Sequence, residues 1–79
     1  MARVLMFGAL AEVAGWRERV IDAGSLAALR AMLADEDAGL GVRLSGPGTC
    51  TILNAEMVRG DAVLSAGDEV AFIPPVSGG

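Results

Sequence analysis

The sequence contains no lysine, no histidine and no tyrosine, and it has a single cysteine, Cys50. One cysteine excludes a disulfide within the chain. The absence of histidine excludes Ser–His and Cys–His nucleophile pairs and leaves too few nitrogen and sulfur ligands for a zinc site. Because Cys50 lies in the apolar segment TCTIL without a basic neighbour, we expect a buried strand residue rather than a reactive thiol.

Positive charge is also scarce. Six arginines are scattered along the chain against ten acidic residues, and the net charge is -4. Nucleic acids and anionic membranes are bound by concentrated basic surfaces, which this chain lacks. We therefore predict no nucleic-acid and no membrane partner, whereas an acidic domain suits a basic protein partner.

No stretch approaches the roughly 20 apolar residues of a membrane-spanning helix. The N-terminal segment MARVLMFGALA resembles a minimal signal peptide with a cleavage site at Ala9-Leu10-Ala11. However, it carries a single positive charge, and cleavage would remove the best predicted strand. The sequence therefore predicts a cytoplasmic protein.

The 79 residues, of which 53% are hydrophobic, suffice for one small domain with a packed core. Apolar, β-branched segments predict strands, and alanine-rich segments predict helices. The strands are expected at 3–7, 17–21, 49–54, 57–59 and 69–73, and the helices at 9–14 and 25–37. Segment 38–48 carries four glycines and one proline, which predicts a loop with at most a short turn.

The helix at 25–37 is the clearest element. Ser25 is the predicted N-cap, and four apolar residues at helical spacing predict its buried stripe. These are Leu26, Leu29, Met32 and Leu33. The acidic run 35–37 lies at the wrong end of the helix dipole, so we expect fraying and a solvated surface there. A docking patch for a basic partner remains the alternative.

The order of elements predicts an α+β fold. Strands at both ends of the chain are the most apolar, so we expect them to be central and adjacent. A mixed sheet of about five strands with one main helix is the plan of a β-grasp, or ubiquitin-like, fold. The predicted division is a domain at 1–73 and an extended, flexible Gly-Gly tail at 74–79.

The tail is the most informative segment. Pro74 and Pro75 cannot donate to a sheet and favour an extended conformation, so the base of the tail is expected to point away from the domain. Gly78 and Gly79 lack a Cβ and can pass through a narrow channel. The α-carboxylate of Gly79 would then be presented to another protein's active site, about 20 Å from the domain at roughly 3.3 Å per residue.

Three segments carry a resemblance to a known family. They are GDEVAFIPPVSGG at 67–79, VLMFGALAEVAG at 4–15 and NAEMV at 54–58. The chain resembles the small subunit of molybdopterin synthase, the MoaD family of sulfur carriers. One departure is Ala11, where many members of the family have an arginine.

The resemblance implies a function that the chain does not perform alone. An adenylating enzyme of the ubiquitin-activating type would use ATP to convert the Gly79 carboxylate to an acyl-adenylate, and a sulfurtransferase would replace AMP with sulfur. The resulting thiocarboxylate would give its sulfur to a cyclic pyranopterin monophosphate in the large subunit, building the molybdopterin dithiolene. No permanently bound cofactor or metal is implied, and Cys50 has no required role.

The resemblance also implies the contacts with the large subunit in a heterotetramer. Docking is expected through an apolar patch, and insertion through the tail. The patch residues are Phe7, Met57 and Ile73, and the tail residues are Pro74, Pro75, Val76, Ser77, Gly78 and Gly79.

Two alternatives stay open. The same chemistry could serve tRNA thiolation, thiazole synthesis or cysteine synthesis. A ubiquitin-like modifier without sulfur is a different class, and isopeptides formed through Gly79 would reveal it. A free-standing enzyme is disfavoured, because the sequence carries no acid–base or nucleophile constellation.

Overall fold

The computed structural model describes residues 1–75. Within these residues, five strands and three helices follow one another. They are β1 (Ala2–Met6), α1 (Gly8–Ala14), β2 (Glu18–Ile21), α2 (Leu26–Glu36), α3 (Ala38–Leu44), β3 (Cys50–Leu53), β4 (Glu56–Val58) and β5 (Glu69–Ile73). The predictions for Val76, Ser77, Gly78 and Gly79 fall outside the described residues, and the domain boundary after residue 73 stays a prediction.

The five strands form one mixed sheet in the order β2-β1-β5-β3-β4. The two strands from the ends of the chain are neighbours and run parallel, with Val4 opposite Val70. The other neighbours are antiparallel. The predicted β-grasp arrangement, with the terminal strands central and adjacent, is confirmed.

The core lies between one face of the sheet and the helices. Alternate residues of β1, namely Ala2, Val4 and Met6, are buried there. Phe72 of β5 is fully buried and belongs to the same cluster as the leucines of α2 and α3. Burial of each such large side chain stabilises the fold by about 1.5–3 kcal/mol. The opposite face of β1 is not fully covered, because Arg3 is exposed and Leu5 only half-buried.

Helices α1 and α2 form where the sequence predicts them. Helix α1 ends at Gly15, which adopts the left-handed conformation with φ 83°. The Ser25 hydroxyl accepts a hydrogen bond from the Ala28 N–H at 3.1 Å, which caps α2. Leu26, Leu29 and Leu33 are buried as predicted, but Met32 is 40% exposed, because it lies at the edge of the stripe.

The expectation of a loop over 38–48 is wrong, because its first part is helix α3. Leu40 and Leu44 supply a buried face that outweighs the low helix propensity of the two glycines. A Cβ atom on Gly41 would overlap the Cβ of Ala34, so this glycine lets α3 approach α2 closely. The glycines that predicted a loop therefore include one needed for helix packing.

The acidic run at the end of α2 is also more structured than expected. Asp37 caps α3, because its Oδ1 accepts a hydrogen bond from the Leu40 N–H at 3.1 Å. Glu36 pairs with Arg19 of β2 at 2.8 Å. The hydrogen bond from Arg19 lowers the pKa of Glu36 from its usual value, and the same contact raises the pKa of Arg19. These contacts place the run in structural roles rather than leaving it as a frayed end.

Strand β3 and its return strand β4 agree with the predicted segments. The turn between them contains Asn54 and Ala55, both with positive φ. Thr51 of β3 is buried, and its hydroxyl oxygen accepts a hydrogen bond from Arg30 of α2 at 2.8 Å. Cys50 is half-buried rather than buried, because its side chain lies on the face of the sheet that the helices leave uncovered.

Candidate functional site

The face of the sheet opposite the helices carries a row of apolar residues. The strand registers pair Leu5 with Ala71, Ala71 with Ile52, and Ile52 with Met57. Each alternates along its strand with a core residue, so these four side chains point away from the core. The result is an apolar band across four strands, in which Met57 is exposed, Leu5 and Ile52 are half-buried, and Ala71, between Leu5 and Ile52, is buried.

A second pair of apolar residues extends this band at one end. Ile73 pairs with Cys50, and continuing the β1–β5 register by one residue places Phe7 beside Ile73. The Phe7 N–H donates to the Phe72 carbonyl at 3.2 Å, which holds the backbone of Phe7 against β5. Together, Leu5, Ala71, Ile52, Met57, Phe7 and Ile73 make up what we call the apolar face.

Charged residues border the apolar face at its opposite end. The Arg3 guanidinium contacts Glu18 at 2.8 Å and Glu69 at 3.3 Å. All three side chains are about half exposed, so each pair contributes little to stability, at most about 1 kcal/mol. An apolar centre with a polar rim is the usual anatomy of a protein–protein interface.

A shallow depression of about 250 Å³ adjoins the apolar face at the open end of the β3–β4 hairpin, opposite the turn at Asn54 and Ala55. Met57 and Cys50 line it from the sheet, and Arg59 adds a positive charge at its edge. A depression with an apolar wall can receive a side chain from a docking partner. Within residues 1–75, no cluster of three or more metal-ligating side chains is present.

The predicted patch residues lie together on this face. Phe7 is 46% exposed, Met57 60% and Ile73 38%. Phe7 is not in β1 as predicted, but follows it and precedes α1. Pro74 and Pro75 continue directly from β5, so the root of the predicted tail lies at the Phe7–Ile73 end of the apolar face.

Three residues of the apolar face were not predicted, namely Leu5, Ile52 and Ala71. Their signal is the strand period of two, because each alternates with a core residue in RVLMF, TCTIL or EVAFI. The signal is difficult to recognise in the sequence, because these strands carry apolar residues at neighbouring positions and therefore on both faces. Ala11, where many members of the resembled family have an arginine, is buried in the core, and an apolar residue fits that position.

Comparison with known proteins decides the family. The model described as "ThiS family" matches residues 4–79. The chain belongs to the ThiS family. Its curated relatives include the molybdopterin synthase sulfur carrier subunit of Escherichia coli (strain K12), which is 35% identical over the whole length of both chains. The protein of the same name from Chlamydomonas reinhardtii is 41% identical over 98% of this chain and 96% of the relative.

Solved structures confirm the fold of this ThiS-family chain. SAMP1 from Haloferax volcanii is 30% identical, covers 99% of this chain with 98% of its own, and has a TM-score of 0.85. Subunits 1 and 2 of the molybdopterin-converting factor from Helicobacter pylori 26695 form a protein–protein complex. The matching chain of that complex is 26% identical, with a TM-score of 0.71 and coverage of 99% and 97%. The resemblance noted in the sequence is therefore confirmed.

One further property concerns membranes. Across residues 1–75, no helix has the length and apolar character required to cross a bilayer.

Proposed function

We propose that this chain is the sulfur carrier subunit of a molybdopterin synthase and does not catalyse the reaction alone. The observation that carries the proposal is the apolar face, because its residues Phe7, Met57 and Ile73 are exposed and it ends at the root of the predicted tail. The full-length similarity to two sulfur carrier subunits supports it. A carrier needs both an apolar face that docks on the partner and a tail that presents the reactive end of the chain.

The chemistry belongs to the tail. A ubiquitin-activating-type adenylyltransferase would join the Gly79 carboxylate to the AMP part of ATP and release pyrophosphate. Sulfur supplied by a sulfurtransferase at the hydrosulfide level would displace AMP from the acyl-adenylate and leave a thiocarboxylate. The thiocarboxylate sulfur would attack a cyclic pyranopterin monophosphate, and hydrolysis of the remaining acyl–sulfur bond by water would regenerate the carboxylate. ATP is therefore consumed without being a bound cofactor. The location we propose for these reactions is the cytoplasm.

Docking on the large subunit would use the apolar face. Phe7, Met57 and Ile73 would be covered, while Pro74, Pro75, Val76, Ser77 and Gly78 would carry Gly79 into the active site. A complex between subunits 1 and 2 is known for the Helicobacter pylori relative. Two carriers and two large subunits would form a heterotetramer.

The test is the intact mass of the chain after incubation with ATP, a ubiquitin-activating-type adenylyltransferase and a sulfur donor. We expect a gain equal to one oxygen exchanged for sulfur, mapped to Gly79. The product should then convert cyclic pyranopterin monophosphate to molybdopterin when the large subunit is added. A folded chain that gains no mass beside an active control carrier would overturn the proposal.

A second candidate is a protein modifier joined to other proteins through Gly79. The 30% identity to SAMP1, a small archaeal modifier protein, favours it. The chain would then appear in isopeptides, detected by mass spectrometry of lysines carrying its C-terminal residues. A thiocarboxylated chain that does not support molybdopterin formation would favour a carrier for another pathway.

A further inference from the structure

We propose that Gly8 and Gly48 are positioning residues that set the direction in which the tail leaves the domain. Each glycine lies against one of the two prolines at the tail root. The inference rests on the proposed function, because direction matters only if the tail must enter another protein's active site. The two glycines are far apart in the sequence, and the fold brings both to the tail root.

Gly48 closes one side of the tail root. Its φ is 88°, a left-handed conformation that side chains disfavour. A Cβ atom on Gly48 would lie 2.7 Å from the Cβ and 3.7 Å from the Cα of Pro75. Real Cβ atoms do not approach so closely, so any side chain at position 48 would push Pro75 away.

Gly8 closes the other side. It begins α1 with φ 53°, and a Cβ atom there would lie 3.1 Å from the Cγ of Pro74. The preceding residue, Phe7, is held to β5 by its hydrogen bond to the Phe72 carbonyl. Gly8 is therefore fixed in place beside the strand that leads into the prolines.

The segment that holds Gly48 is also anchored. The Thr49 hydroxyl donates to the Arg43 carbonyl at 2.8 Å, and the Gly46 N–H donates to the same carbonyl at 3.2 Å. These bonds tie the segment to the end of α3. The two prolines line a groove of about 170 Å³ between this segment and α1, whose Ala9 and Leu10 form the facing wall.

Other glycines with positive φ show what is particular about this pair. Gly15, Gly60 and Gly67 also have left-handed backbones, yet a Cβ atom on any of them would meet nothing within 4 Å. Their backbone conformation accounts for glycine at those positions. Gly48 and Gly8 combine the same backbone with close packing against the tail root.

Small changes at the root are amplified at the tail end. Proline fixes its own φ, so a shift of Pro75 turns the chain that follows. A fully extended chain of four residues would reach about 13 Å, so a turn of about 20° at the root would move the end of such a chain by roughly 4 Å. Misplacement of a reacting group by about 1 Å can lower a rate by about a hundredfold.

The experiment compares Gly48→Ala with Gly67→Ala. Gly67 is the matched control, because its φ of 85° gives the same backbone strain, and it lies in the turn before β5 at the far end of the sheet. Adenylation is followed by pyrophosphate release with ATP and the ubiquitin-activating-type adenylyltransferase. We expect Gly48→Ala to lower kcat by about tenfold or more, with KM for the carrier within about twofold.

The control Gly67→Ala should differ from Gly48→Ala only in the adenylation assay. Gly67→Ala should leave kcat and KM within about twofold, although both variants should lower Tm by similar amounts. Gly8→Ala should have an intermediate effect, because the Pro74 Cγ it meets can move. Equal kcat for Gly48→Ala and Gly67→Ala would overturn the inference.

A double variant tests whether the contact itself is responsible. Pro75→Gly removes the atom that a new side chain at position 48 would meet. Adding Gly48→Ala to Pro75→Gly should therefore change kcat no further, and an undiminished effect would refute the contact. In wild type, an NMR cross-relaxation peak between the Gly48 Hα and Pro75 Hβ protons should be present, and its absence would refute the contact.

Failure of the proposed function would look different. If the wild-type chain is not adenylated by an enzyme active on a control carrier, the carrier proposal itself fails. If the wild type reacts and the two alanine variants match each other, only the positioning inference fails.

Discussion

The Asp68 carboxylate accepts a hydrogen bond from the Asn54 side-chain amide at 3.0 Å, which joins the β3–β4 turn to the start of β5. The other oxygen of Asp68 accepts from the Ser65 N–H at 2.7 Å. Asn54 in turn accepts from the Glu69 N–H at 2.9 Å. The bond from Ser65, and secondarily that from Asn54, lowers the pKa of Asp68 from its ordinary value near 3.8.

This lowered pKa predicts acid-sensitive stability. Because the folded pKa lies below the unfolded one, the contribution is complete above about pH 4 and is lost as pH falls through the folded value. Asp68→Asn should lower the urea midpoint at pH 7, and the difference from wild type should shrink on acidification. Asp35→Asn, on the exposed surface of α2, controls for net charge. A difference that stays constant to pH 2 would contradict the prediction.

The close contact between α2 and α3 predicts opposite effects of two similar substitutions. Gly41→Ala should destabilise the fold by about 1–3 kcal/mol, because its Cβ would overlap the Cβ of Ala34 and lie 2.8 Å from its Cα. Gly39→Ala, in the same helix, would meet only an Asp37 oxygen at 3.4 Å. It should be neutral or stabilise by up to about 1 kcal/mol. Chemical denaturation measures both, and equal effects would contradict the packing argument.

The apolar face predicts where charge will disrupt docking. Met57→Glu and Ile73→Glu should each weaken binding to the large subunit by about tenfold or more, because a charge would be buried without a partner. Val42→Glu places the same charge on α3, at a residue 73% exposed and away from this face. It should bind like wild type in calorimetry. Unchanged affinity of the first two variants would place docking elsewhere.

The tail predicts a separation of folding from activation. Removal of Gly79 should abolish the gain in mass while leaving Tm unchanged, because the described core lies within residues 2–72. Cys50→Ser is the control and should still gain one sulfur, because the carrier atom is expected at the C-terminus. Sulfur found on the shortened chain would contradict the role of Gly79.

Much of this architecture could be predicted from local patterns. Ser25 and the leucines of α2 specify a capped amphipathic helix, and the β-branched residues of β3 specify a strand. Helix α3 could not be predicted, because the burial of Leu40 and Leu44 comes from tertiary packing that outweighs glycine propensity. The patch residues Phe7, Met57 and Ile73 came from family resemblance, since apolarity alone favoured a core position.

The contacts at the tail root could not be predicted from the sequence, for a different reason. Three strands, β3, β4 and β5, lie between Gly48 and Pro75 in the sequence, and nothing in either segment indicates that the two residues meet. A left-handed glycine in a turn is common, so GPG at 46–48 indicated only a loop. The close approach of Gly48 to Pro75 becomes visible once β3 and β5 are paired.

The central position of β5 also governs when this protein can fold. Without β5, the sheet separates into β2-β1 and β3-β4, and isolated two-stranded hairpins are at best marginally stable in water. Arg3 of β1 pairs with Glu69 of β5, which is far away in the sequence. Because such pairings give the fold a high contact order, it forms slowly relative to a local helix. During synthesis, the proposed docking surface would therefore not form until β5 has left the ribosome. Assembly with the proposed large subunit would thereby be delayed until the segment that leads into the tail has been made.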